Sequence, residues 1–123
     1  MQAYDEAAER YGGDSDQVVR VWVSKALFNK SVVLRQLGRL DAALAAYDDL
    51  VARFGQDPDP TVHQVAAKAL VRKGDVLREL GRPADADAAY HEVAARFADS
   101  VDPAIVELVR TARDMQHRTQ TGE

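Results

Sequence analysis

An all-α solenoid of antiparallel helix-turn-helix repeats, about six helices in all, is the fold class this sequence predicts, and three observations predict it. The phrase LGRLDAALAAYDDLVARF at 37–54 returns as LGRPADADAAYHEVAARF at 80–97. Sliding the chain by 43 residues aligns 18–60 with 61–103, and 20 of those 43 positions are identical. Within each aligned stretch the apolar residues step by three and four, which is the spacing of one face of an α-helix. Self-similarity at a fixed period of a few tens of residues marks a repeat architecture, in which each unit buries its apolar face only by stacking on the next.

The elements follow in order. AYDEAAERY at 3–11 matches the Tyr47-Asp48 stretch under the same shift, so a short helix over 2–11 is expected, with Tyr4, Ala7, Ala8 and Tyr11 on one face and a turn at Gly12-Gly13. The next helix places Val19, Trp22, Val23, Ala26, Leu27, Val33, Leu34 and Leu37 on its core face and ends at Gly38, because glycine takes the left-handed C-terminal conformation without strain. A helix over about 41–54 follows, with Ala43, Ala46, Tyr47, Leu50 and Phe54 as its buried stripe. Asp59 before Pro60 reads as an N-cap with proline in the first turn. That helix carries Val62, Val65, Ala66, Ala69, Leu70, Val76, Leu77 and Leu80 and ends at Gly81. A helix over about 84–97 comes next. Asp102-Pro103 then repeats the start signal for a last helix, whose face turns polar at Arg113, Gln116, His117 and Gln120, as a capping helix requires. One domain is expected: 1–13 as the end of a repeat, 14–56 and 57–99 as full repeats, 100–118 as a capping helix, and 119–123 as a disordered tail. The N-terminus reads as a cut through a longer array, and the C-terminus as a natural end.

Composition narrows the function. Of 123 residues, 46% are hydrophobic, enough for a packed core, and there is no cysteine, which excludes disulfides and thiolate metal sites. A cytoplasmic location follows as the expectation, and the Arg, Ala, Val and Asp usage reads as a GC-rich bacterial genome. No apolar run is long enough to span a membrane. The net charge of −4 argues against general nucleic-acid binding. His63, His91 and His117 are scattered, the serines lack a nucleophile-elbow setting, and the glycines sit at helix ends rather than in a phosphate loop. The aspartates at 57–59 and 99–102 read as caps and turns rather than a metal site. Trp22 aligns with Val65 and Leu108 and reads as core. No enzyme and no cofactor is expected.

The repeat resembles the tetratricopeptide repeat. The resemblance rests on small residues in mid helix A, Ser31 and Gly74, and on Leu37-Gly38 and Leu80-Gly81 at its end. Ala43 and Ala86, Tyr47 and Tyr90, and Leu50 and Val93 then run down helix B. It covers about residues 2–112. It departs in period, since the usual repeat has about 34 residues. The extra residues lengthen helix A by about 13 Å at 1.5 Å per residue. HEAT-like repeats share the longer period but not this Leu-Gly, Ala, Tyr spacing.

The resemblance implies a right-handed superhelix whose A helices line a concave groove that binds protein segments. The A helices are basic, through Arg20, Lys25, Lys30 and Arg35, then Lys68, Arg72, Lys73 and Arg78 against Asp75 and Glu79. The B helices are acidic, through Asp41, Asp48 and Asp49, then Asp85, Asp87 and Glu92. These charges either solvate two faces and pair between helices, or define a groove for an acidic peptide. On the second reading the binding residues are Val21, Lys25, Phe28, Asn29, Val32 and Arg35 with Lys68, Val71, Arg72 and Arg78. Asn29, Lys68 and Arg72 also match part of the carboxylate clamp known in that family. Alternatively Val21 and Phe28 pack against a preceding helix A, or stand uncovered at the N-terminal edge. In the last case two copies would meet there, and the chain would be a self-associating structural segment, a homodimer.

Overall fold

The computed structural model describes residues 14–122, which form five helices: α1 Asp14–Gln36, α2 Leu40–Phe54, α3 Pro60–Glu79, α4 Pro83–Phe97 and α5 Pro103–Thr121. No strand occurs among the described residues. The helix expected over 2–11 and the Gly12-Gly13 turn lie outside them. None of the described helices is long and apolar enough to cross a membrane.

The helix boundaries follow local chemistry. Asp59 has an extended backbone, and its Oδ1 accepts from the Thr61 and Val62 amides at 2.9 and 3.0 Å, with Pro60 opening the helix. Asp102 does the same for α5 through the Ala104 amide at 2.9 Å. Gly38 and Gly81 stand at φ 78° and 73°. Beyond each glycine the next amide reaches back five residues, Arg39 to Leu34 and Arg82 to Leu77, both at 2.9 Å. This closure satisfies carbonyls at the end of the helix and turns the chain sharply. Only three residues separate α1 from α2 and α3 from α4, so each pair is antiparallel.

One boundary differs from expectation. The last helix runs to Thr121, so 119–121 are helical rather than tail. Nothing between 118 and 121 breaks a helix, and the glycine that ends it, Gly122 at φ 79°, comes later.

The helices stack so that each meets only near neighbours. The odd-numbered α1, α3 and α5 lie side by side, and α2 and α4 nest between successive members of that row. Helix α3 touches the other four, whereas among the described residues α1 touches only α2 and α3. Burial reflects this. On α3 every expected core residue is buried except half-buried Leu80. On α1, Val23 and Leu27 are buried, but Trp22 is 58% exposed, Val33 51% and Leu37 64%, against the expectation that all three are core. The periodicity is the same in both helices; the number of packing partners is not. Tyr47 and Tyr90 are the two largest fully buried side chains among the described residues. Each sits where small residues let the helices approach: Ser31 is buried, and a methyl at Gly74 would lie 2.5 Å from the Tyr90 ring.

Candidate functional site: the groove along α1, α3 and α5

Lengthwise contact of α1 with α3 and of α3 with α5 leaves a furrow between neighbouring helices. One stretch, about 540 Å³, is lined by Phe28, Val32 and Arg35 of α1, Tyr47 of α2, and Lys68 and Arg72 of α3, with Gln36 and Glu79 at its end. A second stretch of about 240 Å³ shares Phe28 and Lys68 with the first and adds Lys25 and Asn29. A third, about 400 Å³, shares Lys25 and Lys68 and reaches α5 at Ala104, Glu107 and Leu108. The shared residues make these one continuous face.

Phe28 is the centre of it. Its ring meets Tyr47 edge-on at 6.0 Å between centroids, and Lys68 Nζ lies over it at 5.3 Å from its centroid. A cation held over an aromatic face is attracted by the ring quadrupole. Phe28 therefore lines the furrow between α1 and α3. Val21 and Val32 are half-buried on the same helix.

The cations divide into two kinds. Arg35 is bound by Glu79, with Nε 2.7 Å from Oε1 and Nη2 on the same oxygen, and this hydrogen bond raises its pKa. Arg72 Nη1 lies 3.0 Å from Asp75 Oδ2. Lys25 and Lys68 are exposed and make no ion pair among the described residues. The groove is thus less uniformly basic than the sequence implied, because Asp75 neutralises Arg72 on its own helix and Glu79 reaches from α3 to Arg35 of α1. Between an A helix and a B helix, Lys73 pairs with Asp48 at 2.7 Å. Exposed pairs of this sort contribute about 0–1 kcal/mol.

Other expected site residues sit elsewhere. Val71 is fully buried, because α3 is enclosed by four helices, so it supports the groove from beneath and offers no surface. Arg78 lies beside Met115 of α5, with Nη1 4.0 Å from the sulfur. Asn29 and Lys68 share one stretch of the groove, and Lys68 and Arg72 another. Sequence reasoning missed Tyr47 as a lining residue. It also missed a furrow of about 620 Å³ at the start of α1, lined by Val18, Val21 and Trp22 with Lys25 and Thr61. The signal for the latter was present: an apolar Val18 and Trp22 four apart.

The two tyrosine hydroxyls are not alike. Tyr90 Oη donates to Asp75 Oδ1 at 2.5 Å, and burial together with that carboxylate raises its pKa. Tyr47 Oη is buried with no hydrogen-bond partner. Burial raises its pKa as well, while the Arg35 and Arg72 cations pull the other way. An unpaired buried hydroxyl costs about 1–3 kcal/mol. Among the described residues no cluster of three or more His, Asp or Glu side chains could hold a metal.

Tetratricopeptide repeat models match residues 24–53 and residues 68–100. These spans take in most of α1 with α2, and the later part of α3 with α4, so each covers one antiparallel pair. The chain belongs to the tetratricopeptide repeat family. Its members are in general non-catalytic scaffolds for protein–protein interaction. No curated protein and no solved structure matches the chain.

Proposed function

We propose that this chain is a docking module that holds an extended or helical protein segment rich in acidic and apolar side chains along the α1–α3–α5 furrow. The observation behind this reading is the Phe28–Lys68 contact at the centre of a continuous groove. It offers an aromatic floor and a cation with no carboxylate of its own, flanked by Lys25 of the same kind. Apolar anchors with a charged rim suit peptide recognition, in which pockets take side chains and the rim sets charge preference.

A terminally blocked peptide of alternating Glu and Leu tests it. Binding should weaken as salt rises. Lys25→Glu combined with Lys68→Glu should lower affinity by about tenfold or more, whereas Asp48→Lys combined with Asp87→Lys, on the B helices, should leave it near wild type. A stronger effect from the second pair, or equal binding of a Lys-Leu peptide, would assign the docking face to the other side of the stack.

A further inference from the structure

Tyr47 and Tyr90 are matched positions of the two 18-residue phrases, and both rings are fully buried. They differ at the hydroxyl. Asp75 holds that of Tyr90 through one carboxylate oxygen and Arg72 through the other. The residue 43 positions before Asp75 is Val32, which cannot accept a hydrogen bond, and Tyr47 Oη is left without a partner. Buried hydroxyls in folded proteins are almost always paired. This one sits under the charges of Arg35 and Arg72 and in the wall of a groove that Val32 also lines. Where the second phrase has a carboxylate inside the protein, the first has a valine in the groove wall.

We propose that a carboxylate of the docked segment binds here, one oxygen accepting from Tyr47 Oη as Asp75 accepts from Tyr90, with Arg35 and Arg72 as its cations. Both arginines can take part without giving up their present partners. Glu79 engages only the Nε and Nη2 edge of Arg35, and Asp75 only Nη1 of Arg72, out of five N–H donors each. The subsite shares Arg72 with the Asn29, Lys68 and Arg72 pattern but differs from it, since Asn29 does not line this stretch and Tyr47 and Arg35 are no part of that pattern. The proposal rests on the docking reading above and adds to it one defined contact.

Tyrosine-ring NMR on the full 123-residue chain tests it. Titration with acetate to about 100 mM, a range suited to millimolar contacts, should shift the Tyr47 ring signals and leave those of Tyr90 in place. Inorganic phosphate should shift them less; an equal or larger response to phosphate would overturn the choice of carboxylate. With the Glu-Leu peptide, Tyr47→Phe should weaken binding about tenfold, one charge-assisted hydrogen bond's worth, without lowering the melting temperature. Val32→Asp should supply the carboxylate from within and weaken the peptide to a similar degree. Two further peptides separate the sources: one with a single internal Glu and blocked ends, one without acids but with a free C-terminus. Binding of either that depends on Tyr47 supports the subsite and names its occupant. If Tyr47→Phe and Val32→Asp both bind the Glu-Leu peptide like wild type while Lys25→Glu with Lys68→Glu does not, the subsite is wrong and the docking groove stands. If no peptide binds and acetate leaves Tyr47 unmoved, both fall.

Discussion

Asp59 shows how much one side chain settles. Its Oδ1 caps α3 through the Thr61 and Val62 amides, and its Oδ2 accepts from Gln17 of α1. The Val62 amide first, then Gln17, hold its carboxyl below the usual value. A carboxyl depressed in the fold adds stability above its unfolded value of about 3.9, and that contribution disappears as pH falls through the lower folded value. Asp59→Ala should lower stability at neutral pH, because the Thr61 and Val62 amides lose their N-cap. Asp59→Asn keeps an acceptor without a charge and should flatten the loss of stability below about pH 4. Urea melts of the three proteins at pH 7 and pH 3 measure both effects; equal acid slopes in wild type and Asp59→Asn would mean the cap does not titrate. The cap itself was legible, because Asp-Pro ahead of an apolar period is a local signal. Its bond to Gln17, and the Arg20–Asp57 pair at 2.7 Å beside it, were not, because they join residues about forty apart.

At the scale of the element, α1 and α3 are the instructive pair. They have the same apolar period and the same glycine stop, yet α3 is buried nearly all round and α1 is not. The pattern of three and four tells which side of a helix is apolar; how many neighbours reach that side is a property of the stack. The same holds for the A–B contact. Gly74 sits mid-helix, where alanine would gain about 1 kcal/mol of helix propensity. A methyl there meets Tyr90 Cε1 at 2.5 Å and Cζ at 2.7 Å, and that ring is fully buried with its hydroxyl tied to Asp75, so it has nowhere to move. Overpacking of this kind costs about 1–3 kcal/mol, so Gly74→Ala should destabilise the protein on balance. Chemical denaturation gives the sign. A more stable variant would show slack between α3 and α4 that the close approach denies.

The whole molecule is a stack in which α1 never meets α4 or α5, and α2 never meets α4. Stability in such a stack is close to a sum of neighbour contacts, so it should vary along the chain. Helix α3, enclosed by all four others, should hold the slowest amides, near the limit set by global unfolding. The last turns of α5 carry only exposed or half-buried residues from Arg113 onward and should exchange about a hundredfold faster or more, by local fraying. Hydrogen exchange resolved by residue would show the gradient. Uniform protection from α1 to α5 would mean the array opens only as one unit.

Taken by itself, the sequence determined what is local or periodic: helices ended by Gly38 and Gly81, starts at Asp59-Pro60 and Asp102-Pro103, the buried stripe of α3, and Tyr47 and Tyr90 as the large residues of the core. Each is specified by residues within a few turns of one another, where backbone geometry and helical spacing leave little choice. Only the tertiary structure decided that Val71 is buried, that Arg35 and Arg72 are already paired while Lys25 and Lys68 make no ion pair among the described residues, and that Phe28 meets both Tyr47 and Lys68. It also decided that of two matched tyrosines one hydroxyl is satisfied and the other is not. Those outcomes depend on which side chains face each other across helices, and on whether a carboxylate or a valine stands opposite.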